Sequence, residues 1–374
     1  MGIVIFTTIL TLSALYAPQP LLPVLAAEFA VSRESAAFLT TVAFLPLSIA
    51  PLVYGFILES MSPRRLLRIA VLLLALTEIL FFLSPSFSLL IGVRLLQGVL
   101  IPAILTSLMT YVALVTRSAA VQRAMGIYIA ATILGGFLGR ACSGAIATWL
   151  GWRYSFLILA VSLLLCFFFL GRLAATATLS LTRPDPRIVL RILGRQGYLN
   201  VYLMVFCLFF VFAAMMNFLP FRLTEISKSA SEFRIGMMYS GYLMGILTSL
   251  GAVRAVRIAG SEVKVMAIGL LLLALALLGL IADRPEVLFG IMFLFCGAMF
   301  LVHATASGFL NRRAADNKGM VNGLYVSFYY GGGALGSYLP GFIYERFGWT
   351  VFVYVLMGVA TAGLLVVVSC RGGE

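Results

Sequence analysis

Residues 126–152 read GIYIAATILGGFLGRACSGAIATWLGW, and residues 323–349 read GLYVSFYYGGGALGSYLPGFIYERFGW. Sliding the first stretch so that Gly126 falls on Gly323 carries Tyr128, Gly135, Gly136, Leu138, Gly139, Gly144, Gly151 and Trp152 onto Tyr325, Gly332, Gly333, Leu335, Gly336, Gly341, Gly348 and Trp349. The shift is a little over half of the 374-residue chain, which points to an internal duplication. The rest of the sequence is therefore read as two related halves.

The chain is 62% hydrophobic and 10% charged, with a mean hydropathy of +1.10. Soluble domains hold roughly 45–50% apolar and 25% charged residues, so this is an integral membrane protein. Runs such as AVLLLALTEILFFL and AIGLLLLALALLGLIA are too long for barrel strands, and the fold class is all-α membrane protein. Apolar runs near 5–27, 36–58, 66–84, 87–113, 122–149, 153–172, 198–221, 235–255, 263–282, 286–309, 320–343 and 349–369 predict twelve transmembrane helices. The first run has no basic leader and carries Pro18, Pro20 and Pro23, so it reads as a span rather than a signal peptide.

The net charge of +13 comes from basic residues at the ends of apolar runs, not from one patch with interleaved aromatics, which excludes a nucleic-acid partner. Arg64, Arg65, Arg68, Arg183, Arg187, Arg191, Arg195, Arg254, Arg257, Arg312, Arg313 and Lys318 all fall in even-numbered gaps between spans. The positive-inside rule then places both termini in the cytoplasm. The polar stretch between the sixth and seventh spans divides the chain into a six-helix bundle at 1–172, a cytoplasmic linker at 173–197 and a second bundle at 198–374. Leu22, Pro23 and Glu28 recur as Leu219, Pro220 and Glu225 at the same shift, so the halves run parallel.

A single histidine and scattered acids supply no catalytic or metal-ligand constellation, so the expectation is no enzyme, no metal and no cofactor. Cys142, Cys166, Cys207, Cys296 and Cys370 read as small core residues.

Charged and polar groups inside spans are the functional candidates, because each is expensive in lipid and normally faces a bundle interior or a wet cavity. Arg94 and Gln97 share a face of the fourth span, Arg140 lies in the fifth, His303 in the tenth and Glu78 in the third. Each has two readings. Arg94 either couples protons or is satisfied by backbone carbonyls. His303 relays protons or is a neutral hydrogen-bonding residue. Glu78 is the one carboxylate well inside an apolar run, set among aliphatic neighbours. Gln19, Asn217, Tyr16, Tyr128, Tyr325 and Tyr329 line a cavity or pack. Gly126, Gly135, Gly139, Gly144, Gly323, Gly332, Gly336 and Gly341 let helices approach closely, either on a surface where two bundles rock or in static packing.

The loop GFILESMSPRRLLR, the fourth-span RLLQGVLIPA, the first-span YAPQPLLP, the fifth-span GIYI…GGFLGR and the tenth-span HATAS resemble motifs of the major facilitator superfamily. The nearest resemblance is to bacterial drug:proton antiporter-like exporters of the inner membrane, and it covers the whole chain. It implies two six-helix bundles, a monomer working by alternating access, and proton-coupled efflux of a small organic substrate. It also implies that Gly55, Glu59, Arg64 and Arg65 form a gating motif that latches the cytoplasmic ends together, or else serve topology alone. Arg94 and Arg140 favour an anionic or zwitterionic substrate. The alternatives are uptake of a metabolite by the same fold, or a membrane sensor without transport.

The topology is tested with cysteines placed at Ser180 and Ser229, which should label from opposite faces, the first from the cytoplasm alone. Labelling of both from one side of intact cells would overturn the map.

Overall fold

A computed structural model describes residues 1–116, 118–174, 186–314 and 318–369, and among them every regular element is a helix. The first half holds Gly2–Glu28 (α1), Arg33–Ser60 (α2), Pro63–Phe82 (α3), Phe87–Val115 (α4), Ser118–Leu150 (α5) and Trp152–Leu170 (α6). The second holds Gln196–Ile226 (α7), Glu232–Ala259 (α8), Glu262–Gly279 (α9), Pro285–Arg313 (α10), Lys318–Gly336 (α11) and Leu339–Val368 (α12). Among the described residues, nine of these are long and apolar enough to cross a membrane: α1, α4 to α10, and α12. The helices α2, α3 and α11 stand where the sequence predicts the remaining spans. Ser180, Arg183 and Cys370 lie outside the described residues, as do the surroundings of Gly55 and the side chains of Glu59 and Lys318.

The outward faces are apolar at helical spacing, as at Ile69, Leu73, Leu76 and Leu80 on α3 and Ile268, Leu271 and Leu275 on α9. The buried set includes Arg94, Gln97, Arg140, Glu78, Gln19 and Asn217. Apolar outside and polar within is the pattern a bilayer imposes on a bundle that encloses a polar path.

Two helices break. In α1 the α-helix stops at Tyr16, a 3-10 turn covers Gln19–Leu21 and helix resumes at Leu22. Prolines at 18 and 20 offer no N–H, so Pro18 cannot donate to the Ala14 carbonyl as helix geometry requires. In α8 a 3-10 turn at Tyr239–Gly241 also interrupts the helix, here without a proline.

The repeat is visible in backbone geometry. Gly151 and its mate Gly348 take φ of +96° and +79°, with ψ of 149° and 177°. That region is open essentially only to glycine. Each turn starts a helix on the tryptophan that follows, and Gly348 turns the chain inside α12, near where the sequence predicts one span to end and the next to begin.

The repeated glycines divide into two sets. A Cβ on Gly135 would meet the Ile9 backbone, and one on Gly139 the Ser13 backbone, at 2.5 Å from its Cα, so this face seats α5 on α1. Gly332 and Gly336 meet the Phe206 and Phe210 backbone and seat α11 on α7. The expectation of a rocking surface at Gly139 and Gly336 is thereby corrected. Both sit inside one half, where close backbone approach holds the bundle together.

The halves meet where α2 packs on α11 and α5 on α8. There Gly144 faces the Glu232 carbonyl and Gly236, and its mate Gly341 faces the Glu34 side chain as well as Phe218. Gly126 faces open space and Gly323 is buried.

Leucine at Gly139 or Gly336 should lower stability by about 1–3 kcal/mol, as overpacking does, and so lower Tm. Gly144→Leu should leave Tm closer to that of the parent but prevent closure of the end that carries Glu28. Thermal melts read alongside cysteine accessibility from both sides separate the two sets. Equal loss of Tm in all three variants would leave one class of packing glycine.

Candidate functional site

Arg140 is wholly buried on α5. Its Nε donates to Gln19 Oε1 at 2.6 Å, and Nη1 to the Gly136 carbonyl at 2.6 Å. The guanidinium carbon lies 4.0 Å from the Tyr16 ring centroid, 4.6 Å from Tyr242 and 4.9 Å from Tyr239. Both helix breaks converge here: one supplies Gln19, the other Tyr239, and Tyr16 and Tyr242 flank them. Among the described residues no carboxylate is within ion-pair distance of Arg140, so aromatic faces and amide oxygens carry its charge.

The chain of polar groups crosses between halves. Gln19 Nε2 donates to Asn217 Oδ1 at 2.9 Å. Asn217 Nδ2 reaches the carbonyls of Ala37 at 3.1 Å and Ser337 at 3.0 Å. Thr41 and Ser337 share a hydroxyl contact of 2.6 Å. Nearer the same end Arg33 pairs with Glu225, and Glu232 accepts from the Thr148 hydroxyl at 3.2 Å. Among the described residues, the hydrogen bonds and ion pairs joining the halves thus gather at the end that carries Glu28.

Beyond this polar layer lies an aromatic one. Tyr329 stacks on Phe209 at 3.7 Å, and Phe44 of the first half contacts Phe209 and Tyr330 of the second. His303 Nδ1 is 2.9 Å from the Tyr325 hydroxyl, and its ring is 4.9 Å from Tyr329. The same hydroxyl lies 3.2 Å from the His303 carbonyl. When the phenol proton goes to that carbonyl, Nδ1–H is the donor and Nε2 is left as an acceptor. His303, Tyr329 and Tyr330 are half-buried. Tyr128 stands apart, its hydroxyl donating to the Leu105 carbonyl at 3.2 Å within the first half.

A second buried cluster lies wholly inside the first half. Arg94 on α4 donates through Nε to the Leu39 carbonyl at 3.1 Å and through Nη2 to the Leu15 carbonyl at 2.8 Å. Nη1 serves the Ala14 carbonyl at 3.3 Å and Gln97 Oε1 at 2.7 Å. The Ala14 oxygen is the one that Pro18 cannot serve. Ser143 on α5 similarly donates to the Ala17 carbonyl at 2.8 Å. Gln97 Nε2 then donates to Glu78 Oε1 at 3.0 Å, while Glu78 Oε2 is buried without a partner. Arg94 therefore holds the first helix and does not face the opposite half. Of the readings open for Arg94, these bonds are those of an arginine satisfied by backbone carbonyls that holds the first helix.

The latch is expected to close when the protein faces outward, and in this conformation Arg64 is engaged elsewhere. Arg64 Nη2 donates to the Gly171 carbonyl at 2.5 Å, at the C-terminal end of α6 in its own half. The negative end of a helix is a natural partner for the guanidinium when the other half is not within reach. Arg65 is exposed.

Arg140, Gln19, Asn217 and Tyr16 are brought together, as are His303, Tyr325 and Tyr329, and Glu78, Gln97 and Arg94. Sequence reasoning missed Thr41, Ser337, Tyr239 and Tyr242. The run GMMYSGYLMG, with two tyrosines among glycines, is the one signal that marked the last two.

A model of the Major Facilitator Superfamily matches residues 4–261 and 223–372. The chain is 25% identical to the uncharacterized MFS-type transporter YybF of Bacillus subtilis, over 97% of this chain and 90% of that one. It is also 25% identical to the inner membrane transport protein YnfM of Escherichia coli, over 94% of this chain and 86% of that protein. A crystal structure of a mutant of the nucleoside transporter NupG superposes with a TM-score of 0.82 over 99% of this chain and 100% of that one, at 13% identity, which is a likeness of fold.

Arg94→Ala leaves the carbonyls of Ala14, Leu15 and Leu39 and the Gln97 side chain without their donor in a dry interior. At about 1–3 kcal/mol for each orphaned group the loss should reach several kcal/mol, read as early melting. Arg94→Lys should rescue little, since an ammonium cannot span four acceptors set around a planar fork. A lysine variant as stable as the parent would mean that charge alone suffices.

Proposed function

The chain belongs to the major facilitator superfamily, and on that premise we propose that it is a secondary active transporter that exports a small organic solute in exchange for protons, crossing the membrane twelve times as a monomer. The observation that carries this reading is the chain Arg140–Gln19–Asn217, which ties two pseudo-symmetric halves at the end that, among the described residues, holds the polar contacts between them. A polar seam that can part, above an aromatic chamber, is what alternating access needs. In this reading the basic residues Arg64, Arg172 and Arg312 lie at the cytoplasmic end, opposite the tied one, and the conformation is the inward-facing one. Residence in the bacterial inner membrane agrees with the name of the relative YnfM.

In this reading the aromatic layer of Phe44, Phe209, Tyr329, Tyr330 and His303 borders a chamber that suits a flat, largely apolar solute with a hydrogen-bonding edge. Arg140, without a carboxylate partner, favours an anionic or zwitterionic group. The proton site in this reading is Glu78. Its unpartnered oxygen accepts a proton, and the change of charge reaches the break in α1 through Gln97 and Arg94.

Purified protein in liposomes with an imposed pH gradient, screened over a panel of aromatic acids and zwitterions, tests the proposal. Outward solute movement should accompany inward proton movement. Glu78→Gln should cut gradient-driven flux by roughly tenfold or more while solute counterflow persists, the mark of lost coupling without lost binding. Solute and proton moving in the same direction would make the protein an importer. Normal coupling in the Glu78→Gln variant would place the proton elsewhere, with His303→Gln the next variant to assay.

A further inference from the structure

At the basic end of the first half lies a cleft of about 450 Å³ between α3 and α6, lined by Ser62, Arg64, Arg65, Arg68, Ile69, Leu72, Leu73 and Phe167. It is remote from the seam and the chamber, and the transport reading makes no use of it. Its rim holds three guanidiniums within two helical turns. Among the described residues no carboxylate is within ion-pair distance of any of them. Arg68 lies over the Phe167 ring at 5.0 Å, and its Nε is buried without a hydrogen-bond partner. Ser62 caps α3 without a side-chain hydrogen bond; Pro63 has no N–H and the Arg65 and Leu66 N–H groups serve the Ser62 carbonyl, so the Arg64 N–H and the Ser62 hydroxyl are the donors this helix end leaves for a ligand.

The floor of the cleft is of the opposite character. Ile69 and Leu73 are exposed, and the stripe continues through Leu76 and Leu80 along the outer face of α3. From Ile69 to Leu80 it runs about 16 Å at 1.5 Å per residue, on the scale of an acyl chain. A cationic rim joined to an apolar groove on the bilayer-facing side has one well-matched ligand.

We propose that this cleft binds an anionic phospholipid, its phosphate held by Arg65, Arg68 and the α3 N-terminus and an acyl chain laid along Ile69, Leu73 and Leu76. Guanidinium forks match phosphate oxygens in pairs, and basic pockets between spans are suited to anionic headgroups. The proposal requires only that the chain lies in a membrane. It does not depend on the direction of transport, the coupling ion or the substrate.

The full-length protein in detergent is titrated with dioleoylphosphatidylglycerol and, in parallel, with dioleoylphosphatidylcholine, and Tm is followed. The anionic lipid should raise Tm at concentrations where the zwitterionic lipid does not. The half-saturating concentration should rise about fivefold for each arginine removed in Arg65→Gln, Arg68→Gln and the double variant. The control double variant Arg254→Gln/Arg257→Gln should leave it unchanged. Equal response to both lipids, or an equal loss in the control, would overturn the proposal in favour of diffuse charge. A full response to inorganic phosphate alone would make the cleft a small-anion site and overturn the lipid assignment. Should the arginine variants fail to fold, the Phe167→Trp variant keeps the rim intact. Its added fluorescence should be quenched more by brominated phosphatidylglycerol than by brominated phosphatidylcholine at the same mole fraction, and equal quenching would sink the idea.

Discussion

A helix broken by proline inside lipid leaves carbonyls that no water can serve, and the first helix survives its break because Arg94 and Ser143 serve them instead. Once α1 turns at Gln19–Leu21, Tyr16 and Gln19 face Arg140 on α5. Gln19 can then reach Asn217 across the interface. One backbone constraint therefore positions both the buried cluster in the first half and the polar seam between halves.

Duplicated positions have kept their backbone roles and changed their chemistry. Gly151 and Gly348 make the same left-handed turn, and the pairs Gly135/Gly332 and Gly139/Gly336 make the same close approach. Side chains diverge. Glu28 accepts from Trp152 Nε1 at 2.5 Å and from Arg153 Nη1 at 2.5 Å, bracing α1 to α6 within one half. Its mate Glu225 takes Arg33 of the other half together with Arg222 and the Tyr344 hydroxyl. Trp349, released from an acid partner, donates to the Leu280 carbonyl at 2.7 Å. A brace in one repeat has become a tie between halves in the other. A glycine turn admits almost no substitute, whereas a carboxylate at a helix end can choose among neighbours.

The same asymmetry explains how far the sequence could be read. Helix positions, the duplication and the division into halves follow from apolar runs and glycine spacing, because lipid makes both nearly obligatory. Arg94, Gln97 and Arg140 announced themselves through the expense of charge in a span. Which partner each found was not legible, since that depends on the rotation of one helix against another. Glu78 shows this well. Its aliphatic neighbours in sequence suggested isolation, yet α3 turns it towards Gln97 on α4. Gly139 and Gly144 stand on one helix five residues apart, and the difference of rotation sends one to α1 and the other to α8.

The closed end is held by contacts that are individually weak. Arg33 and Glu225 are about a third exposed, with side-chain accessibilities of 38% and 30%, and such pairs contribute roughly 0–1 kcal/mol. Buried neutral bonds such as Gln19 to Asn217 and Thr41 to Ser337 contribute about 1 kcal/mol each. Taken together they bias the conformational equilibrium by a few kcal/mol. Moving a two-state population from 1:99 to 99:1 takes about 5.5 kcal/mol of differential binding. A bias of that size is enough to hold this end together, yet small enough for ordinary differential binding to reverse. A seam built from large buried ion pairs would hold more firmly, but parting it would strand charges in the membrane. Among the described residues the one full charge in the buried part of the seam is Arg140, and its aromatic cage draws on both halves, Tyr16 from one and Tyr239 and Tyr242 from the other. The Tyr16 face and the Gln19 amide belong to the same half as Arg140, so part of the guanidinium's solvation does not depend on the other half.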